Sequence, residues 1–252
     1  MPVLETRGLT IRFGGHAAVD DVSCAFHRGS LTAIVGPNGA GKTTYFNLVS
    51  GQLRPTAGRV LLDGEDVTAL GPALRARRGM GRAFQLTNLF PNLSVRENVR
   101  LAVQARAGGG ADILSRWDSR RAWIATADRI LEEVALAPVA GSPAATLPHG
   151  DQRKLEVAVM MALEPHVFMF DEPTAGMSAE EVPVVLDLIR RLKASGDKTI
   201  LLVEHKMDVV RSLADRIVVL HQGRLVADGP PAEVIASPVV QEAYLGVPVG
   251  AT

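Results

Sequence analysis

The stretch GPNGAGKTT, from Gly36 to Thr44, decides the fold class of this chain. It satisfies the phosphate-loop pattern G-x-x-x-x-G-K-[ST]. It also lies between LTAIVG, an apolar run typical of a buried strand, and TTYFNLVS, a helical segment that stops at Gly51. Glycines in such a loop let successive backbone N–H groups point at phosphate oxygens. The stretch therefore predicts a nucleoside-phosphate site at the end of a buried strand.

Each part of this loop has an expected role in holding phosphate. The start of the following helix supplies partial positive charge, Lys42 supplies a full charge, and Thr43 supplies a hydroxyl for magnesium. A glycine turn with a surface lysine is the plain alternative, and the correct flanking elements disfavour it. We expect the phosphates to contact Gly36, Pro37, Asn38, Gly39, Ala40, Gly41, Lys42, Thr43 and Thr44.

The run HVFMFDEP, from His166 to Pro173, ends a predicted buried strand in two adjacent carboxylates, Asp171 and Glu172. Neighbouring anions at a strand end are costly unless one meets a cation and the other takes a proton. In phosphoryl-transfer sites the first carboxylate holds magnesium, directly or through water, and the second polarises the attacking water. A solvated strand end is the alternative, and the phosphate loop in the same chain favours the catalytic interpretation.

Composition limits the classes of function that fit. The 252 residues are enough for one large domain or two small ones with a real core. The 27 basic and 27 acidic residues cancel, so the basic footprint of a nucleic-acid binder is absent. The lone Cys24 cannot form an internal disulfide, no apolar run approaches ~18 residues, and the start lacks an export signal. We expect a cytosolic protein whose link to a membrane comes through a partner.

The first part of the chain is predicted to form strands. They run from Val3 to Phe13 and from Val19 to Phe26, and RVLLDGEDV predicts a hairpin with its turn near Asp63 and Gly64. Nearby basic residues are interpreted as a solvated face, or else as the rim of a groove for a membrane subunit: Arg75, Arg77 and Arg78. Cys24 is expected to be a small buried hydrophobe.

The rest of the chain changes pattern twice. From about Leu86 to Leu163 it is helical, and SVRENVRLAVQAR begins with Ser94 as a cap and Glu97 three residues later. Beyond Val167 strands and helices alternate again, ending in a helical tail near residues 233–244. Such alternation predicts a mainly parallel sheet, interrupted by an inserted helical subdomain.

From Leu4 to Gly246 the chain resembles the nucleotide-binding subunit of an ABC transporter, through GPNGAGKTT, FDEP, LPHGDQ and LLVEHKMD. The resemblance implies an α/β fold: a P-loop NTPase (ABC ATPase) core with a parallel sheet, an N-terminal antiparallel β subdomain and an inserted helical subdomain. It implies a RecA-like core at about 4–85 and 164–246, a helical subdomain at about 86–163 and a short tail at 247–252.

The resemblance also assigns roles to single residues. Phe13 matches the aromatic residue that stacks on adenine, where tyrosine is more usual. Gln85 matches the glutamine that reaches magnesium and water and senses the membrane subunit. Glu172 matches the catalytic base, and His205 matches the switch histidine that contacts the γ-phosphate. The implied catalytic set is Glu172, His205 and Gln85, and the implied metal set is Thr43, Gln85 and Asp171.

LPHGDQ falls where the family carries its signature LSGGQ, a helix start that docks on the γ-phosphate of ATP held by an opposite subunit. Two ATP molecules are then sandwiched in a head-to-tail dimer. Pro148 replaces the signature serine and removes a hydroxyl donor. His149 is either a replacement donor or a solvated loop histidine. Gly150 is retained, and Asp151 is a first-turn acid.

Other features are similar to the ATPases of branched-chain amino acid uptake systems. They are AGMS at 175–178 in place of SALD, NLFPNLSVRENV, and the closing PAEVIASPVVQEAYLG. The resemblance implies an importer ATPase that uses ATP and Mg²⁺, peripheral on the cytoplasmic face of the membrane. Its implied partners are a second ATPase subunit, identical or different, two permease subunits and an extracytoplasmic solute-binding protein, with no nucleic acid. An importer of urea or short amides, an export-type ATPase similar to that of lipopolysaccharide export, and a soluble ATPase acting on nucleic acid or ribosomes stay open.

Overall fold

The computed structural model describes residues 1–83, 89–108 and 117–245, with backbone alone for 117–120 and 243–245. The chain divides into two compact units, the first comprising 1–80, 166–172 and 190–252 and the second comprising 81–165 and 173–189. The boundaries predicted from the sequence stay a prediction. They differ from this division chiefly in residues 173–189, which the prediction assigned to the core.

Ten strands occur in the described residues. They are β1 Leu4–Phe13, β2 His16–Phe26, β3 Leu31–Val35, β4 Ala57–Leu62, β5 Glu65–Asp66, β6 Met80–Ala83, β7 Val167–Asp171, β8 Thr199–Val203, β9 Arg216–His221 and β10 Arg224–Gly229. A four-stranded antiparallel sheet has the order β2-β1-β4-β5. The predicted hairpin turn is confirmed, since Asp63 and Gly64 both have positive φ, as a tight two-residue turn requires.

The second sheet has six strands in the order β10-β9-β3-β8-β7-β6. Strands β9, β3, β8 and β7 pair in parallel and β10 pairs antiparallel with β9, so the predicted mainly parallel sheet is confirmed. In this register Val203 of β8 pairs with both Ile34 of β3 and Asp171 of β7. The carboxyl ends of three strands thus lie at one edge, where α/β sheets bind their ligands.

Nine α-helices occur in the same described residues. They are α1 Lys42–Ser50, α2 Pro72–Arg77, α3 Val95–Arg106, α4 Trp117–Glu133, α5 His149–Leu163, α6 Val182–Ala194, α7 Met207–Leu213, α8 Pro231–Ala236 and α9 Pro238–Leu245. Helix α1 ends at Gly51 as predicted, with φ of 83° at the glycine. The expected cap of α3 is also confirmed, because Ser94 Oγ accepts a hydrogen bond from Glu97 N at 3.2 Å.

The helical tail differs from the prediction. One helical segment was expected near 233–244, whereas the structure has two helices separated at Ser237. Pro238 explains the break. A proline disfavours helical backbone at the residue before it, and suits the first position of a new helix.

Alternation along the buried strands places the core of the first unit on both faces of the parallel sheet. Ile34 and Leu220 pack in a cluster that includes α1 and the antiparallel sheet. Val35 and Val219 face the other way, toward residues of α7, α8 and α9. Cys24 lies in the first cluster at 4% exposure, so its expected burial is confirmed, and burial raises the pKa of its thiol to about 11.

In the second unit α3, α4 and α5 pack against one another. Arg96 on α3 and Asp128 on α4 form an ion pair with Nε and Oδ1 at 2.6 Å. Buried Asn98 fixes the segment before α3, since its amide accepts from Phe90 N at 2.7 Å and donates to Ser94 O at 3.0 Å. Across the part of the chain that is described, no helix has the length and apolar character needed to span a bilayer.

Arg75 corrects the expectation of a solvated basic face. Its side chain is 1% exposed, and burial lowers its pKa to about 10. The guanidinium donates hydrogen bonds to four carbonyl oxygens, those of Leu48, Val49, Thr68 and Leu70. Two of these belong to the last turn of α1, where a cation offsets the negative end of the helix dipole. The sequence pattern of three nearby arginines gave no sign of this contact.

Replacing Arg75 with methionine should lower the free energy of unfolding by about 3–5 kcal/mol, because several buried carbonyl groups lose their donor together. Arg77→Met is the matched control, since Arg77 lies on the same helix with an exposed side chain and should cost less than about 0.5 kcal/mol. Urea unfolding of both variants measures the difference. Similar losses in the two variants contradict this role for Arg75.

Candidate functional site

The loop from Gly36 to Thr44 joins β3 to α1 at the carboxyl edge of the parallel sheet. Three of its glycines have positive φ: 154° at Gly36, 78° at Gly39 and 94° at Gly41. Side chains other than glycine rarely adopt such backbone conformations. Glycines at these positions allow the loop backbone to approach a bound ligand closely. The N–H groups in the first turn of α1 have no partner within the helix.

Space restricts one of these glycines more than another. A methyl group at Gly41 would lie 2.3 Å from the carbonyl oxygen of Ala18, whereas at Gly39 it would meet no heavy atom within 4 Å. We expect Gly39→Ala to cost about 1 kcal/mol of unfolding free energy, from backbone strain alone. Gly41→Ala should cost more than about 3 kcal/mol, because strain adds to a backbone clash. Equal losses in urea unfolding of the two variants would refute this difference.

Lys42 is buried at the base of the loop, with 5% exposure. Its ammonium Nζ donates to the carbonyl oxygens of Gly36 at 2.7 Å and Pro37 at 2.9 Å. Burial lowers the pKa of Lys42, and the charges of Glu172 and Asp171 oppose that shift. An anion bound in the loop would likewise favour the charged ammonium.

The two predicted carboxylates lie at the end of β7. Asp171 is buried with 6% exposure, and Glu172 follows it with a φ of 51°, a conformation that is uncommon outside glycine. The backbone N–H of Glu172 donates to Val203 O at 2.9 Å, which fixes it beside β8. Glu172 Oε1 lies 2.7 Å from His205 Nε2, so the predicted base and the predicted switch histidine are hydrogen-bonded.

Glu204 is a buried carboxylate next to the candidate site that the sequence analysis missed. It is 3% exposed, and its Oε2 accepts from the backbone N–H groups of His205 at 2.7 Å and Lys206 at 3.2 Å. These bonds fix the backbone that carries His205. The position of Glu204 in the sequence could have indicated this role. A carboxylate directly after a buried strand and before a helix commonly accepts hydrogen bonds from backbone N–H groups.

Lys42, Glu172 and His205 line one pocket in the first unit. It is lined by His16, Ala18, Asn38, Gly39, Ala40, Gly41, Lys42, Thr43, Thr44, Glu172 and His205. His16 is a second residue that the sequence analysis missed. Phe13 is outside this lining and 53% exposed, but it pairs directly with His16 across the β1–β2 hairpin. Adenine stacking on Phe13 stays a prediction, and Gln85 lies outside the described residues.

The three signature positions occupy the first turn of α5. His149 is exposed, Gly150 is buried, and Asp151 Oδ1 accepts a hydrogen bond from Lys154 Nζ at 2.7 Å. Pro148, the N-cap residue, makes no side-chain capping hydrogen bond. These residues belong to the second unit, whereas the pocket residues belong to the first.

The donors near the pocket fit magnesium. Thr43 and Asp171 supply a hydroxyl and a carboxylate, and hard oxygen donors are the ligands that Mg²⁺ takes. Among the described residues no group of three His, Cys, Asp or Glu side chains could hold a metal ion by itself. Mg²⁺ at nucleotide sites is usually held by one or two protein oxygens together with substrate phosphates.

Fold and site together define a P-loop nucleotide-binding protein. Residues 19–175 match the ABC transporter family, and residues 224–249 match the family described as branched-chain amino acid ATP-binding cassette transporter. The chain belongs to the ABC transporter family, as an ATP-binding cassette, and the predicted class is confirmed.

Individual relatives cover almost the whole chain. The high-affinity branched-chain amino acid transport ATP-binding protein BraF of Pseudomonas aeruginosa is 40% identical over 97% of this chain and 98% of its own length. The corresponding LivG protein of Escherichia coli is 39% identical with the same coverage. A crystal structure of the ADP conformation of an ATP-binding cassette of an ABC transporter has a TM-score of 0.82 and 28% identity, covering 98% of this chain and 100% of that one. The predicted fold class is therefore confirmed.

Proposed function

We propose that this chain hydrolyses ATP to power an importer of branched-chain or related amino acids. The observation that carries the hydrolytic part is the juxtaposition of Glu172 and His205, 2.7 Å apart, in the same pocket as the phosphate loop. The relatives named for branched-chain amino acid transport support the cargo.

Binding starts from the phosphate loop. The ammonium of Lys42 and the backbone N–H groups of the loop from Gly36 to Thr44, in which Pro37 has none, hold the triphosphate of ATP. The bonds from Lys42 Nζ to Gly36 O and Pro37 O hold the ammonium at the loop, which supports this role. Thr43, Asp171 and Gln85 would hold Mg²⁺, which supplies charge neutralisation for phosphoryl transfer when bound.

Hydrolysis requires a base and a group that stabilises the transferred phosphoryl. Glu172 orients a water molecule and accepts its proton, and His205 donates a hydrogen bond to the phosphoryl oxygens. Their present hydrogen bond keeps both side chains at the pocket. Glu204 positions the backbone of His205 through two N–H contacts.

The turnover cycle involves two ATPase subunits. The first turn of α5, with His149, Gly150 and Asp151, docks on the γ-phosphate held by the opposite subunit in a head-to-tail dimer. Its free N–H groups and helix dipole face an anion there. Closure and reopening of the dimer drive two permease subunits, so the chain works as a peripheral protein on the cytoplasmic face of the membrane. An extracytoplasmic solute-binding protein delivers the cargo.

Co-purification from native membranes followed by reconstitution tests this proposal. Complexes captured through this chain should contain two permease subunits. In liposomes supplied with the solute-binding protein, they should hydrolyse ATP faster in the presence of leucine, isoleucine or valine than in the presence of urea. Recovery of ribosomal proteins, or stimulation by urea alone, contradicts the proposal.

A further inference from the structure

A carboxylate lies against the first turn of α5. A methyl group built on Gly150 would be 2.0 Å from Glu181 Oε1, so the carboxylate occupies the space beside this glycine. Both residues belong to the second unit. Glu181 precedes α6, is far from Gly150 in sequence and belongs to no motif described above.

The other oxygen of Glu181 has a different partner. Oε2 accepts a hydrogen bond from the backbone N–H of Ser178 at 3.0 Å, within the turn that leads into α6. Hydrogen bonds from the backbone N–H and the hydroxyl of Ser178 lower the pKa of Glu181, because they favour its charged form. One carboxylate therefore contacts both the loop of residues 174–178, called the 174–178 loop below, and the start of α5.

The charges around this contact are mixed. The positive charge of Lys154 and the imidazole of His149 both act on Glu181, while Lys154 is itself paired with Asp151 at 2.7 Å. The ring of His149 also lies near the loop, since a methyl group on Gly176 would be 3.4 Å from its Cε1. Pro148 makes no side-chain capping hydrogen bond, and the carboxylate of Glu181 lies beside this helix start, where negative charge is favourable.

We propose that Glu181 is a positioning residue that joins the start of α5 to the 174–178 loop, and that its negative charge opposes the approach of a phosphate to that helix start. This inference rests on the proposed docking of α5 on the γ-phosphate of a partner subunit. Before docking, the carboxylate of Glu181 keeps the start of α5 aligned with the 174–178 loop. The same anion raises the ATP concentration that closure requires.

The test compares Glu181→Gln with Glu180→Gln in the reconstituted transporter. Glutamine at 181 keeps an oxygen for Ser178 N and removes the charge, whereas Glu180 is an exposed neighbour with the same charge change. We expect Glu181→Gln to lower the KM for ATP about three- to tenfold with kcat changed less than about twofold. Added salt should shrink the difference from wild type, because screening weakens charge repulsion. Glu180→Gln should behave as wild type.

Glu181→Asp keeps the charge and should keep KM within about twofold of wild type, a rescue that a purely structural cap would not show. If Glu181→Gln fails to fold, Glu181→Thr gives a second uncharged residue with an oxygen for the turn. An unchanged or raised KM in the folded uncharged variant, with wild-type hydrolysis intact, overturns the role of Glu181 and leaves the proposed function standing. Absence of hydrolysis in the wild-type transporter overturns both.

Discussion

Glu172→Gln should bind ATP normally and hydrolyse it about 10²–10⁴-fold more slowly than wild type. Glutamine has nearly the same shape as glutamate but cannot accept the proton of the attacking water at neutral pH. The hydrogen bond to His205 survives as an amide contact, because Oε1 lies 2.7 Å from Nε2 and an amide oxygen or nitrogen can take that place. Binding should therefore persist while the chemical step slows.

Single-turnover hydrolysis under Mg²⁺, alongside equilibrium nucleotide binding, measures both quantities in one preparation. Glu132→Gln is the control, since Glu132 is an exposed residue of α4 in the second unit. It should match wild type in both assays. A single-turnover rate for Glu172→Gln within about tenfold of wild type would remove Glu172 as the base, because general-base catalysis contributes at least about a hundredfold.

Lys42→Ala should weaken ATP binding by about ten- to a hundredfold, since a hydrogen bond to a charged partner is worth about 1.5–3 kcal/mol. The variant also loses the two contacts from Nζ to Gly36 O and Pro37 O, which hold the loop. The loss should be much smaller for adenosine, which has no phosphates for the ammonium to contact.

Lys198→Ala controls for the removal of one lysine from the first unit, because Lys198 pairs with Asp197 away from the pocket lining. It should bind ATP as wild type does. Calorimetric titration of both variants with ATP and adenosine separates a phosphate contact from general loss of structure. An equal weakening of ATP and adenosine binding in Lys42→Ala would argue that the lysine only supports the fold.

Local sequence signals predicted much of the fold. The turn at Asp63 and Gly64, the end of α1 at Gly51 and the serine cap of α3 all depend on residues within a few positions of one another. Each was confirmed by the structure. Such features can be read from sequence because backbone conformation and capping are set by immediate neighbours.

Features that depend on distant contacts could not be predicted. Arg75 is buried because carbonyl groups of α1 and of the 68–70 segment converge on it, and no nearby residue indicates this. His16 lines the pocket because the β1–β2 hairpin places it next to the phosphate loop. The contact of Glu181 with Gly150 joins two segments that are far apart in sequence.

The candidate site was predictable to the extent that strand ends define it. A phosphate loop after β3 and carboxylates at the end of β7 must lie at the same edge when the strands are parallel. His205 and Gln85 came from the family resemblance instead. The structure places His205 beside Glu172, while the role of Gln85 and adenine stacking on Phe13 stay predictions.

The central claim is that the loop from Gly36 to Thr44 binds the triphosphate of a nucleotide. Equilibrium titration of the purified chain with ATP and with adenosine tests this claim most directly. In the presence of Mg²⁺ we expect saturable ATP binding at least about tenfold tighter than adenosine binding, since the phosphates supply charged contacts that the nucleoside lacks. Equal affinity for the two compounds, or no binding of ATP, would contradict it.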